Sequence, residues 1–177
     1  MTKTIDIQAG PHAFGDGAHP TTRGVLEALA MMDPAQFTPR NACDMGAGSG
    51  IISFALIEKF GCEVVAVDVE ASAVATLKEN AARNGIEGLI PLHADGFNHR
   101  DIAARAPYDM ITMNILAEPL MRLADAACNH LAADGVMILS GILQWQETQI
   151  RQAYASLGLS LSARLVVGDW VTLVWQK

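Results

Sequence analysis

From residue 40 onward, apolar and polar positions follow two rhythms along this chain. Short runs of aliphatic residues, such as Glu63-Val-Val-Ala-Val-Asp68, read as strands buried on both faces. Between them lie longer stretches whose apolar residues return every three or four positions, the period of a helix with one buried side. Residues 42–45, 63–68, 89–93, 108–114, 135–140, 161–167 and 170–176 are the predicted strands. Residues 51–60, 71–84, 119–131 and 145–157 are the predicted helices, with Gly61, Gly85 and Gly158 standing where helices stop. Gly168-Asp169 fits a tight hairpin turn between the last two strands. An earlier helix, 22–32, is expected to pack over the crevice at the carboxyl ends of the strands.

Strands alternating with helices predict an α/β fold: a seven-stranded, mostly parallel, Rossmann-like sheet covered on both faces and ending in an antiparallel hairpin. The first strand is expected at the centre, with the fourth beside it. At 177 residues the chain suits one domain, divided into an N-terminal lid and helix (1–40) and a Rossmann-like core (41–177). A chain of this size buries roughly 70% of its unfolded surface and needs no staple. The three cysteines, Cys43, Cys62 and Cys128, are far apart in apolar sequence and read as reduced, buried thiols. No Cys/His pair has zinc-finger spacing, so no metal is expected.

Apolar runs never reach the roughly 18 residues of a membrane span, and the N-terminus lacks the apolar stretch of a signal peptide. A cytoplasmic protein is the expectation. The formal charge of −7 argues against non-specific nucleic-acid binding, which rests on Lys and Arg.

Chemistry concentrates in Asp44-Met-Gly-Ala-Gly-Ser-Gly50, between a strand and a helix. Glycines there let the chain turn sharply and a ligand approach the backbone at Gly46 and Gly48. Asp68 ends the next strand 22 residues after Gly46, near the offset at which a carboxylate accepts from ribose hydroxyls. The third glycine comes one residue too early for a dinucleotide fingerprint. Asp44 just before the turn would repel a pyrophosphate and suits a ligand bearing an amine. These features together indicate S-adenosylmethionine, which carries an amine and a sulfonium and no phosphate.

Four segments resemble the PrmA family, methyltransferases of large-subunit ribosomal protein eleven. They are Ala13-Phe-Gly-Asp-Gly-Ala-His-Pro-Thr-Thr22, the Gly-rich turn with Asp68, Asn114-Ile-Leu-Ala117 followed by Pro119-Leu120, and Leu139-Ser-Gly-Ile-Leu143 with Gly168-Asp-Trp-Val171. Their order and spacing match from about residue 9 to the end. The resemblance implies the class I S-adenosylmethionine-dependent methyltransferase fold, a protein amino group as acceptor, and cofactor contacts at Thr22, Gly46, Asp68 and Asn114. Thr22 is either such a contact or a plain helix cap. Asn114, with the carbonyls of Ile115 and Leu116, is the candidate for orienting the acceptor amine. Asp95 is a candidate acceptor for the adenine amino group or a turn residue, and His19 a lid or structural residue.

Two departures stand out. Asp16 replaces the family's usual Thr, and only about a dozen residues precede Phe14, where the family carries a substrate-recognising domain. The expectation is that this chain alone methylates ribosomal protein eleven poorly, because the avidity of a docking domain is missing. Small-molecule methyl transfer and a non-catalytic cofactor-binding module are the competing readings. A nucleic-acid-base enzyme is a third, but it would want an aromatic after Asn114 to stack a flipped base.

Overall fold

The structure, a computed structural model, describes residues 6–8 and 17–177. The elements run α1 (Pro20–Met31), β1 (Asn41–Met45), α2 (Ile51–Phe60), β2 (Glu63–Asp68), α3 (Ala71–Asn84), β3 (Leu89–His93), α4 (Arg100–Ala103), β4 (Tyr108–Asn114), α5 (Ala117–His130), β5 (Leu131–Leu143), α6 (Glu147–Ser156), β6 (Ser160–Val167) and β7 (Trp170–Gln176). A short 3-10 turn, Gln144–Gln146, joins β5 to α6.

The seven strands lie in the order β3-β2-β1-β4-β5-β7-β6. β1 to β5 pair in parallel, and β7 runs antiparallel to both β5 and β6. Winding therefore reverses between β1 and β4, which opens a crevice at their carboxyl ends. Alternate residues of each strand feed two cores. Cys43, Val65, Ile111, Met137 and Leu173 point to the face covered by α5 and α6, where Leu120, Ile150 and Tyr154 pack. Ala42, Val64, Met110, Ile138 and Val174 point to the other, against α1 and α2. Each of the Val, Leu, Ile and Met side chains among these contributes about 1.5–3 kcal/mol by leaving water.

The helix before the first strand does not cover the crevice as expected. Val25, Ala28 and Leu29 form an apolar stripe at helical spacing, and burying it against the sheet holds α1 in the helical layer. Only the start of the helix reaches the crevice. Ser140 Oγ donates to the Thr21 carbonyl (3.0 Å) and lies 2.9 Å from Thr172 Oγ1, which ties that first turn to β5 and β7.

Three stretches depart most from the pattern. α5 gives way directly to β5 because Leu131 adopts an extended backbone and buries in the core, pairing with Tyr108. β5 also runs past Ser140, through a register shift between Leu139 and Ile142. α4 has too few residues to show a helical period; the His99 side chain caps it by accepting from the Asp101 N–H. All three cysteines are free and buried.

Gly141 sits in that irregular stretch at φ +85°, and a Cβ on it would lie 2.2 Å from the Ile115 carbonyl oxygen. Strain and overlap act together there, so Gly141→Ala is expected to destabilise by about 1–3 kcal/mol. For a chain this long, that lowers the midpoint of a thermal melt by about 2–12 °C. An unchanged midpoint would show that the β4–α5 turn moves aside at no cost.

Candidate functional site

The reversal between β1 and β4 produces a cavity of about 490 Å3, within the ~300–1,000 Å3 of small-molecule sites. Thr22, Gly46, Gly48, Asp68, Asp95 and Asn114 all line it, although they come from α1, the turn after β1 and the ends of β2, β3 and β4. His19 lines it as well.

The turn after β1 is fixed from beneath. The N–H groups of Gly46 and Ala47 both donate to the Val67 carbonyl, at 2.8 and 3.0 Å. Gly46 has φ +79°, and a Cβ there would come within 2.3 Å of Ile115 Cγ2, so the turn and the segment after β4 touch across the switch point. The carboxylate of Asp68 then spans two backbone donors: Gly48 N–H to Oδ2 and Glu70 N–H to Oδ1, both at 2.9 Å. Each oxygen keeps a lone-pair direction for a ligand.

Asp44 does not face the crevice, contrary to the expectation that it would meet a ligand's amine. It is buried, with Ser53 Oγ donating to Oδ2 (2.6 Å) and Thr112 Oγ1 donating to Oδ1 (2.7 Å). Adjacent residues of a strand point to opposite faces, and this one turns its side chain into the layer between α2 and the sheet. Burial pushes its carboxyl up to about 6; the two hydroxyl donors oppose the shift without cancelling it, and the Asp68 carboxylate adds to it.

At the far side, Asn114 pairs in register with Ser140, and its Nδ2 lies 3.4 Å from Thr22 Oγ1 as donor. Thr22 is not the helix cap. His19 is: its Nδ1 accepts from the Thr21 N–H (3.3 Å), and its ring meets Trp170 edge-on with centroids 5.4 Å apart. Of the two carbonyls expected beside Asn114, that of Leu116 already accepts from the Leu120 N–H at the start of α5. That of Ile115 is the one pressed over Gly141. Asp95 forms an exposed pair with Arg122, both guanidinium contacts falling on Oδ1 at 3.3 Å.

Among the lining residues to which the sequence assigns no role in the site are Arg122 and Trp170. Arg122 lies inside a helix whose local pattern reads only as amphipathic, and nothing near it in sequence points to Asp95. Trp170 stood in a hairpin motif, and only the β5–β7 pairing brings it to the crevice mouth, opposite Leu143. Asp16 and the stretch from Ala13 to Asp16 lie outside the described residues.

Among the described residues the lining has one arginine, already paired, and no lysine, against Asp68, Asp95 and neutral Asn114 and Thr22. This donor set fits a ribose and an amine and offers little to a phosphate chain. The residues present thus fit S-adenosylmethionine.

A family model described as ribosomal protein L11 methyltransferase (PrmA) matches residues 2–177. The chain is 38% identical over 174 residues to the ribosomal protein L11 methyltransferase of Rhodopseudomonas palustris (strain BisB5), covering 98% of this chain and 58% of that protein. It is 39% identical over 170 residues to the corresponding protein of Brucella suis, covering 96% and 59%. The chain therefore spans under two thirds of the length of these relatives. A solved structure of the ribosomal protein L11 methylase from Lactobacillus delbrueckii subsp. bulgaricus superposes with a TM-score of 0.84 at 31% identity, over 97% of this chain and 83% of that one. A Pyrococcus furiosus methyltransferase shares the fold at a TM-score of 0.78 and 19% identity, over 98% and 89%.

Asp44 generates a pH prediction. Folding raises its pKa, so its favourable contribution is fully present below the unfolded value near 3.8. That contribution is lost as pH rises through about 6. Asp44→Asn removes this titration. Between pH 4 and 7 the wild type should lose stability relative to the variant, by up to about 3 kcal/mol, in urea unfolding. Parallel pH profiles for the two proteins would contradict it.

Proposed function

Because the chain belongs to the ribosomal protein L11 methyltransferase (PrmA) family, we propose that it transfers a methyl group from S-adenosylmethionine to an amino group of a protein, a lysine side chain foremost. The observation that carries this reading is the joint placement of Asp68, the Gly46–Gly48 turn and Asn114 around one crevice. In this reading residues 1–177 act as one catalytic unit.

Asp68 accepts from both ribose hydroxyls, pre-aimed by the Gly48 and Glu70 amides. Gly46 and Gly48 let the ligand lie against bare backbone. Asp95 keeps Oδ2 to accept from the adenine amino group while Arg122 holds Oδ1. Thr22 and Asn114 close the opposite end, Thr22 toward the amino-acid part of the ligand. S-adenosylmethionine supplies a methyl carbon activated by its sulfonium, so the protein's work is positioning.

The acceptor must arrive as a neutral amine, although a lysine holds its proton up to about pH 10.4 in water. Ile115, Leu116 and Trp170 give the crevice mouth an apolar character, and desolvation there favours the uncharged form. Asn114 donates through Nδ2 toward Thr22, which leaves Oδ1 to accept an N–H of the incoming amine and fix its lone pair on the methyl carbon.

The direct test is a labelled-methyl assay on fractionated lysate, with the acceptor identified by mass spectrometry. Label on a protein amino group is the expected outcome; label confined to small molecules or nucleic acid would overturn the acceptor. Asp68→Ala should lower affinity for S-adenosylmethionine at least tenfold, since charge-assisted hydrogen bonds are worth about 1.5–3 kcal/mol each. Unchanged affinity in calorimetry would remove the ribose assignment. Asn114→Ala should reduce turnover more than cofactor affinity, as expected of a group acting on the transition state. The reverse split would make Asn114 a cofactor contact alone.

A further inference from the structure

Two asparagines on α3, Asn80 and Asn84, are buried at 1% and 6% exposure, although a helix has no use for buried amides. Both reach across to the N-terminal segment. Asn80 Oδ1 accepts from the Gln8 N–H (3.2 Å) and its Nδ2 donates to the Gln8 carbonyl (3.0 Å). Asn84 treats Asp6 identically, accepting from its N–H at 2.9 Å and donating to its carbonyl at 2.8 Å. Four helical residues rise about 6 Å, close to the roughly 6.7 Å between alternate residues of an extended chain. The pair therefore reads residues 6 and 8 as an edge strand would. Ile7, between them, packs against the small core of Ala47, Phe54, Ala66, Leu77 and Ala81.

Asn80 has a further contact that gives this grip a consequence. Its Nδ2 also donates to the Ser49 carbonyl at 2.9 Å. Ser49 follows Gly48, whose N–H is the donor to Asp68. Arg83 Nη1 donates to Asn80 Oδ1 at 2.9 Å, so both ends of the amide are engaged twice. One buried side chain thus joins residues 6–8, the Gly-rich turn and the helix that begins just after Asp68. Rotating the amide to release the strap also releases the turn.

We propose that Asn80 is a positioning residue for the cofactor turn, and that residues 6–8 and the bound cofactor stabilise each other through it. The inference rests on the crevice being the S-adenosylmethionine site. Coupling of this kind is reciprocal: if the strap tightens cofactor binding, cofactor binding must tighten the strap. A side chain with a merely structural role would show no such response.

The test uses the whole chain with S-adenosylhomocysteine as probe. Amide exchange followed by NMR should slow at Asp6 and Gln8 at least fivefold when the ligand saturates, although neither residue lines the crevice. Calorimetry should show Asn80→Asp, which keeps the acceptors and removes both donated bonds, weakening binding at least tenfold. In the methyl-transfer assay the same variant should raise KM for S-adenosylmethionine more than it lowers kcat. Asn84→Ala frees Asp6 without touching Ser49 and should weaken binding by a smaller factor, about threefold. The wild-type exchange measurement requires no variant to fold. Ligand binding that leaves exchange at Asp6 and Gln8 unaltered, or Asn84→Ala with wild-type affinity, would overturn the coupling. Failure of the wild type to bind S-adenosylhomocysteine would instead overturn the functional reading beneath it.

Discussion

β1 is hydrogen-bonded to parallel strands on both sides, and the rest of the molecule follows from that constraint. A parallel neighbour cannot be reached by a hairpin, so each connection must cross a face of the sheet. Going to β2, the chain crosses with α2; reaching β4 and then β5 puts α5 on the opposite face. No helix can cover the point where the two directions part. The open crevice at the carboxyl ends of β1 and β4 is thus a consequence of topology, and the ends of β1, β2 and β4 deliver their last residues into it.

The polar groups at this point divide into two layers. Asp44 lies below, buried, and satisfied by Ser53 of α2 and Thr112 of β4. It ties three elements together under the turn at the cost of a raised pKa, as a carboxyl held away from water must. Asp68 lies above, its two oxygens aimed by backbone amides. Two carboxylates beside one glycine turn therefore do different work: one organises the floor, and the other is presented to the cavity. Distance from solvent separates the roles.

Much of this was legible in the sequence. Strands buried in the sheet leave aliphatic runs whether their neighbours are parallel or antiparallel, so β2, β4 and β7 stand where the pattern put them, and the shorter run of β3 does too. Asp68 and the glycines were visible because a tight turn and a following strand fix their spacing. Asp44 was misread because strand alternation determines which face it takes, and a five-residue strand gives too short a pattern to show the phase. The placement of α1 failed for a related reason. Its apolar stripe announces a buried face without saying what buries it. Arg122 and Trp170 were invisible as lining residues, since β4–α5 packing and β5–β7 pairing bring them to the crevice from far along the chain. The Asn80–Asn84 pair sits at a spacing any amphipathic helix might carry, and its meaning lies in a segment more than 70 residues away.

In the proposed function the crevice holds S-adenosylmethionine with its ribose on Asp68 and its reactive end at Thr22 and Asn114. A crystal structure with S-adenosylhomocysteine tests this most directly. Both ribose hydroxyls should lie within hydrogen-bond distance of the Asp68 carboxylate, adenine beside Asp95, and the sulfur on the Asn114 side of the Gly46–Gly48 turn. A ligand bound elsewhere, or in the crevice with its ribose away from Asp68, would contradict it.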